Sequence, residues 1–306
     1  MASATATSAV TPSVDAGGCE FCGLPIPTDW THCPHCGRPQ LFPNVRLADR
    51  NEERTALLQR YNEAIVSADH RGCRSLVEAF QTKVLSSHAV MVCAATKLLP
   101  IVTSIVDIYA TFHDLESLRI KRPPKPGGVD WNAARPKAEI DLLGSKKLIE
   151  HLHYANLSIN DEGLSNYGDC TVVLRDAMIS HRASIFQENT GMFFSKRPGT
   201  PPLGYRSTWQ ERDKLSVAKL CGQIDAKTTD KDFASILCRS APDAEDDDFI
   251  EVQVFGPMTL FTFESVAVRS GTKGAAKSEE SAKHGRAHLS ACKDILTRAN
   301  VTFREL

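Results

Sequence analysis

The chain has 306 residues, 42% of them hydrophobic, which is enough apolar material to pack one large domain or two ordinary ones. Thirty-six basic residues stand against thirty-seven acidic ones, so no global field draws the molecule to nucleic acid or anionic lipid, and any such contact must be local. The opening MASATATSAVTPSV lacks the basic flank and apolar core of a secretory signal, and the most apolar stretch, 84–110, is interrupted by His88, Lys97, Pro100 and Asp107. A soluble, cytoplasmic protein with no membrane partner is expected. Six of the ten cysteines (Cys73, Cys93, Cys170, Cys221, Cys238 and Cys292) are scattered singly, as in a reducing compartment.

In chain order, residues 1–18 read as a disordered tail and residues 19–46 as a zinc ribbon. Cys19-Glu-Phe-Cys22-Gly and Cys33-Pro-His-Cys36-Gly are two C-x-x-C-G knuckles. Each bends the backbone so that two thiolates face one point, with Gly23 and Gly37 taking backbone conformations that a side chain would hinder. Four thiolates at about 2.3 Å fill the tetrahedron of a zinc ion and leave no open position for catalysis, so the expected site is structural. A redox dithiol would instead set one C-x-x-C at a helix start beside a strand, a pattern absent here. His32 and His35 lie beside the ligands and are read as bystanders. The ribbon's expected partner is a protein or a nucleic acid, although only Arg38 and Arg46 follow it closely as candidate phosphate contacts.

Residues 47–120 read as a helical region. Asp49 and Glu52 are spaced as a capping box, and Leu57, Leu58, Tyr61, Ala64, Ile65 and Ala68 recur at helical spacing, with Gly72 as a break. Leu76, Val77, Phe80, Val84 and Leu85 continue an apolar face, and two further helices are predicted over 87–99 and 101–120, separated at Pro100. Residues 121–130, rich in proline, glycine and basic residues, read as a linker. From 131 to 306 the pattern is mixed, giving an α+β chain overall. Residues 171–174, 183–186 and 249–255 are strand-like, 209–220 is a helix opened by the Thr208 and Glu211 capping pair, and 270–285 is a mobile segment. An amphipathic helix through Leu289, Cys292, Ile295 and Leu296 and a short strand at 301–304 end the chain.

No P-loop, nucleophile elbow, H-E-x-x-H or dinucleotide fingerprint is present. The polar residues on or near the predicted strands are His151, His153, Tyr154, Tyr167, His181, Arg182, Ser184, Glu188, Glu251 and Gln253. The order Tyr167-Gly168 before a strand, His181-Arg182-Ala-Ser184, then Phe249-Ile-Glu251-Val-Gln253-Val-Phe-Gly256 resembles the ADP-ribosyltransferase-like domains of bacterial toxins and phage head proteins, over roughly residues 149–268. The resemblance implies NAD as substrate and a toxin or defence-like activity. It implies Glu251 as the carboxylate that answers the positive charge developing on ribose, with Gln253 orienting a substrate or loop. It further implies NAD contacts from Tyr167, from Arg182 to phosphate, and from Ser184 beside the nicotinamide. The family's arginine-serine-glutamate and histidine-tyrosine-glutamate sets are not spelled out cleanly, His153-Tyr154 being only a fragment of the latter. Read without the resemblance, Glu251 is a solvent-facing strand residue, Arg182 a surface ion-pair residue and Tyr167-Gly168 a turn. The alternative function is a non-catalytic zinc-ribbon adaptor.

Overall fold

The computed structural model describes residues 18–19, 22, 24, 26, 30–95, 98–103, 136–140, 142, 149–197, 199–269 and 279–306. The N-terminal tail apart from Gly18, the linker at 121–130 and the 104–120 part of the helix expected over 101–120 lie outside the described residues. Of the segment expected to be mobile, 279–285 is described and is helical.

Helix α1 (Pro43–Ala48) opens with a proline, tolerated in the first turn because no intrahelical donor is needed there. Asp49 closes α1, its amide bonded to the Val45 carbonyl at 2.8 Å, and α2 (Asn51–His70) starts from Arg50 with no side-chain cap, so the capping box expected from Asp49 and Glu52 does not form. Gly72, at φ +67°, turns the chain out of α2, and α3 (Arg74–Leu85) follows. Leu57 and Ala68 of α2, with Val77, Phe80 and Val84 of α3, face inward at three- and four-residue spacing or its multiples.

The next element corrects the helical reading of 87–99, because His88–Cys93 is a strand, β1. A six-residue apolar run is too short to reveal its own period, and its pairing partners decide the matter. β1 pairs antiparallel with β2 (Leu152–Ser158) on one side and β3 (Cys170–Leu174) on the other, Val90 lying opposite both Asn156 and Val173. Helix α4 (Leu98–Thr103) follows β1 and contains Pro100 in its first turn, so the break expected at Pro100 does not occur, a first-turn proline removing no intrahelical bond.

Beyond β3 come α5 (Asp176–Ile179), β4 (Ala183–Phe186), α6 (Thr190–Lys196), β5 (Arg206–Thr208), α7 (Arg212–Leu220) and α8 (Phe233–Leu237). The chain continues through β6 (Cys238–Arg239), β7 (Asp248–Phe249), β8 (Glu251–Phe255), β9 (Phe263–Val268), α9 (Glu279–Arg298) and β10 (Thr302–Glu305). The strand expected over 249–255 is thus interrupted at Ile250. Thr208 precedes a 3-10 turn at Trp209–Glu211 and makes no capping bond there.

Eight strands form one sheet in the order β10-β9-β3-β1-β2-β8-β4-β5, and β6 pairs with β7 separately. Every neighbour in the large sheet is antiparallel except β10 against β9, the pair joined by α9, since parallel neighbours need a crossover of that length. Alternation then sorts the side chains. Ala89, Met91, Leu157, Val172, Ile185, Val252, Val254 and Val266 enter a core with Phe80, Val84, Leu215, Phe233 and Leu296 from the helices. The first helices and the later strands therefore share one core on both sides of the linker segment. The opposite face carries Asn156, Ser184, Glu251 and Gln253, bordered by a second cluster that includes Leu47, Phe186, Phe193, Phe194 and Phe255. Among the described residues, no helix is long and apolar enough to cross a membrane.

Candidate functional site

The four ribbon cysteines converge. Their Sγ atoms all lie within 4.8 Å of one another, with Cys19 to Cys36 and Cys22 to Cys33 each at 3.6 Å. A disulfide needs about 2.05 Å, whereas a tetrahedron with 2.3 Å arms has edges of about 3.8 Å. The donor set fits zinc, and four thiolates complete its coordination.

Local backbone bonds build this geometry. The Gly37 amide donates to the Cys33 carbonyl at 2.9 Å and Gly37 sits at φ +69°, which closes the second knuckle. The His35 amide reaches the Cys33 sulfur at 3.4 Å, and a short hairpin, with Gln40 N–H to Thr31 C=O at 2.9 Å, holds that knuckle's two ends together. In the first knuckle the Cys19 amide bonds the Leu24 carbonyl at 2.8 Å. Ile26 is fully buried against Cys19 and Cys33. The imidazole of His32 is bonded to the Thr31 hydroxyl at 3.2 Å rather than taking part in the thiol cluster. Arg46 of α1 donates to the Trp30 carbonyl at 3.1 Å and ties the ribbon to the body.

A second constellation lies on the polar face of the sheet. Glu251 and Gln253 are two residues apart on β8 and share a face, and Ser184 of β4 is the cross-strand partner of Gln253. All three are buried, Glu251 being 4% exposed, so the solvent-facing reading of that residue does not hold. The Gln253 amide donates to Glu251 at 3.1 Å and to the Thr190 hydroxyl at 2.9 Å; that hydroxyl in turn donates to the Glu251 carboxylate. The Thr190 amide also approaches the carboxylate, at 3.3 Å. It is free to do so because it belongs to the first turn of α6, where backbone donors have no intrahelical acceptor. From α1, the Asn44 side-chain amide reaches Ser184 Oγ at 3.0 Å and the main-chain carbonyls of Gln253 and Arg182 at 2.9 and 3.1 Å.

Arg182 is placed differently. Its guanidinium donates to the carbonyls of Met178, Phe255 and Pro257 at 2.9, 2.8 and 2.9 Å, clamping the turn that follows β8. Tyr167 is exposed and accepts a 3.2 Å bond from Asn189, the residue that caps α6, so it meets Thr190 only at one remove. His153 faces the opposite side of the sheet beside Val254, and Glu188 pairs with Arg197 at 3.2 Å. The structure thus brings together Ser184, Glu251 and Gln253, and adds Asn44 and Thr190, which motif reasoning missed. For Thr190 a faint signal existed in the capping Asn189 before it; for Asn44 there was none.

At the sheet's β5 edge, Arg206 meets Glu53 of α2 at 3.1 Å, and the Gly204 amide bonds the same carboxylate at 2.7 Å. Burial pushes the Glu53 carboxyl above the usual carboxylate range, with Arg206 and the Gly204 amide pulling against it. No protein-family model matches the chain, and no curated protein matches it.

Proposed function

We propose that the chain is an NAD-dependent ADP-ribosyltransferase, toxin- or defence-like, whose acting carboxylate is Glu251 and whose zinc ribbon recruits a protein or nucleic-acid target. The observation that carries this reading is the convergence of Glu251, Gln253 and Ser184 with Thr190 on one face of the sheet. An interior face built only for packing would be apolar, because buried polar networks stabilise less than well-packed hydrophobic ones unless every member is satisfied. Breaking the nicotinamide–ribose bond builds positive charge on the ribose, and a fixed carboxylate stabilises that charge more than the ground state. Gln253 and Thr190 hold Glu251 in one orientation. Arg182 is here a positioning residue for the turn after β8, and the phosphate contact is left to other groups. Since Glu251 is 4% exposed, NAD reaches it only when the segment over it opens.

A second reading, the non-catalytic adaptor, is favoured by the ribbon surface, where Leu24 and Trp30 are each 46% exposed as apolar anchors for a partner. Nicotinamide release from NAD, followed with cell lysate supplying acceptors, separates the two. Under the enzyme reading, Glu251→Gln lowers the rate about 10²-fold or more while keeping the side chain's shape. Failure of the wild-type protein to bind NAD by calorimetry would retire the enzyme and leave the adaptor.

A further inference from the structure

A polar cleft of about 400 Å³ opens between the loop after β2, helix α8, strand β6 and the end of β9. This is within the usual range for a small-molecule site. Its walls are preformed. Gly163 lies so close to the sheet that a Cβ there would come within 2.2 Å of Val92 Cγ2, which fixes the loop on β1. The same loop is tied to the segment that follows β6 by the Ser165 amide on Ser240 Oγ at 3.0 Å and by Asn166 on the Ala241 carbonyl at 2.8 Å.

The unspent hydrogen-bonding capacity of the lining is mostly donor capacity. Asn160 uses its carbonyl oxygen to accept from Ser158 and the Glu162 amide, at 3.0 and 3.3 Å, leaving its NH2 group for the cleft. Ser240 accepts from Ser165 and so keeps its own proton to donate, and the Ser165 hydroxyl stands beside it. Lys231 and Arg269 supply two cations whose side chains make no ion pair or hydrogen bond among the described residues. Against them stands a single lining carboxylate, Glu162. The Cys238 thiol in the wall adds no second anion, because burial, then Asp247, push it up to about 12. Two cations with three neutral donor groups, spread over separate elements, exceed what the two oxygens of one carboxylate can satisfy. They suit the several oxygens of a phosphate or pyrophosphate.

We propose that this cleft binds a phosphate-bearing small molecule through Lys231, Arg269, Asn160, Ser165 and Ser240. The cleft shares no lining residue with the Glu251, Gln253, Ser184 and Thr190 network. Calorimetry of the full chain at low salt, with inorganic pyrophosphate and separately with ADP, tests it. Saturable binding is expected. Lys231→Ala and Arg269→Ala each weaken it about tenfold, the usual contribution of a hydrogen bond to a charged group, and Glu162→Gln strengthens it severalfold by removing the like charge. Tighter binding of ADP than of pyrophosphate would assign the site to a nucleotide, and equal binding to the phosphate moiety alone. The three cleft substitutions leave Glu251 and its partners in place, so a change in pyrophosphate binding is read separately from any change in NAD cleavage. No binding of either probe at millimolar concentration, or binding indifferent to all three cleft substitutions, would overturn the proposal.

Discussion

Among the described residues of the ribbon, the buried cluster is Cys19, Ile26 and Cys33, whereas in the sheet body side chains from α2, α3, α7 and α9 close with the strands round one continuous core. Burying one isoleucine contributes roughly 1.5–3 kcal/mol, while fixing the backbone of each residue costs roughly 1–2 kcal/mol. A segment the size of the ribbon cannot fold on that balance. A structural zinc ion supplies on the order of 10 kcal/mol or more, delivered all at once. The body spreads its stability over many contacts, so each single substitution there removes only a share of it. One region should therefore answer to a single ion and the other to its packing, with α1 as the joint between them.

The largest expected effect is on the ribbon. Cys33→Ser, or a strong chelator, should reduce bound zinc from one equivalent to none and cost the ribbon on the order of 10 kcal/mol, while the main unfolding transition of the body stays in place. Metal analysis and a thermal melt of the same sample check both halves; equal zinc in wild type and variant would remove the metal centre. The reciprocal experiment is Phe80→Ala, which deletes a fully buried ring packed edge-on against Phe233 at 5.4 Å. It should destabilise the body by about 3–5 kcal/mol in a denaturant titration and leave the zinc content unchanged.

Asn44 tests the joint. Asn44→Ala removes the donor that serves Ser184 Oγ and the main-chain carbonyls of Arg182 and Gln253, a loss of buried hydrogen bonds costing about 1–3 kcal/mol. Unfolding measured with and without chelator should show the same loss in both conditions if α1 belongs to the body.

The smallest effect is one of pH. Because burial raises the folded value for Glu53, the folded state holds that proton more tightly than the unfolded chain does. The stability this contributes is fully present below the unfolded carboxylate value and is lost as pH rises through the raised folded value. Glu53→Gln should abolish that part of the pH slope in the body's stability, and the zinc-dependent step should show no matching change.

Those contrasts track how each region is encoded. The four ribbon cysteines lie within residues 19–36, so their spacing alone pointed to a cluster of thiols able to hold a metal ion. The 183–186 strand, the strand over 170–174 and the closing strand at 302–305 were likewise legible, since β-branched residues and turn signals act over a few positions. Strand β1 was not, because an apolar run of six residues fits a buried helix or a buried strand, and only the antiparallel partners at 152–158 and 170–174 select between them. The alternation of Glu251 and Gln253 with valines correctly placed the two carboxyl and carboxamide groups on one face. Whether that face met water or protein depended on α1 and α6 lying over it. The same holds for Arg182, whose basic side chain looked fit for phosphate until the fold set three main-chain carbonyls around it. Residue type and local period are properties of the sequence by itself. Burial, and the partners that convert a polar side chain into a clamp or a site, come from segments up to 209 positions apart and exist only once the chain has folded.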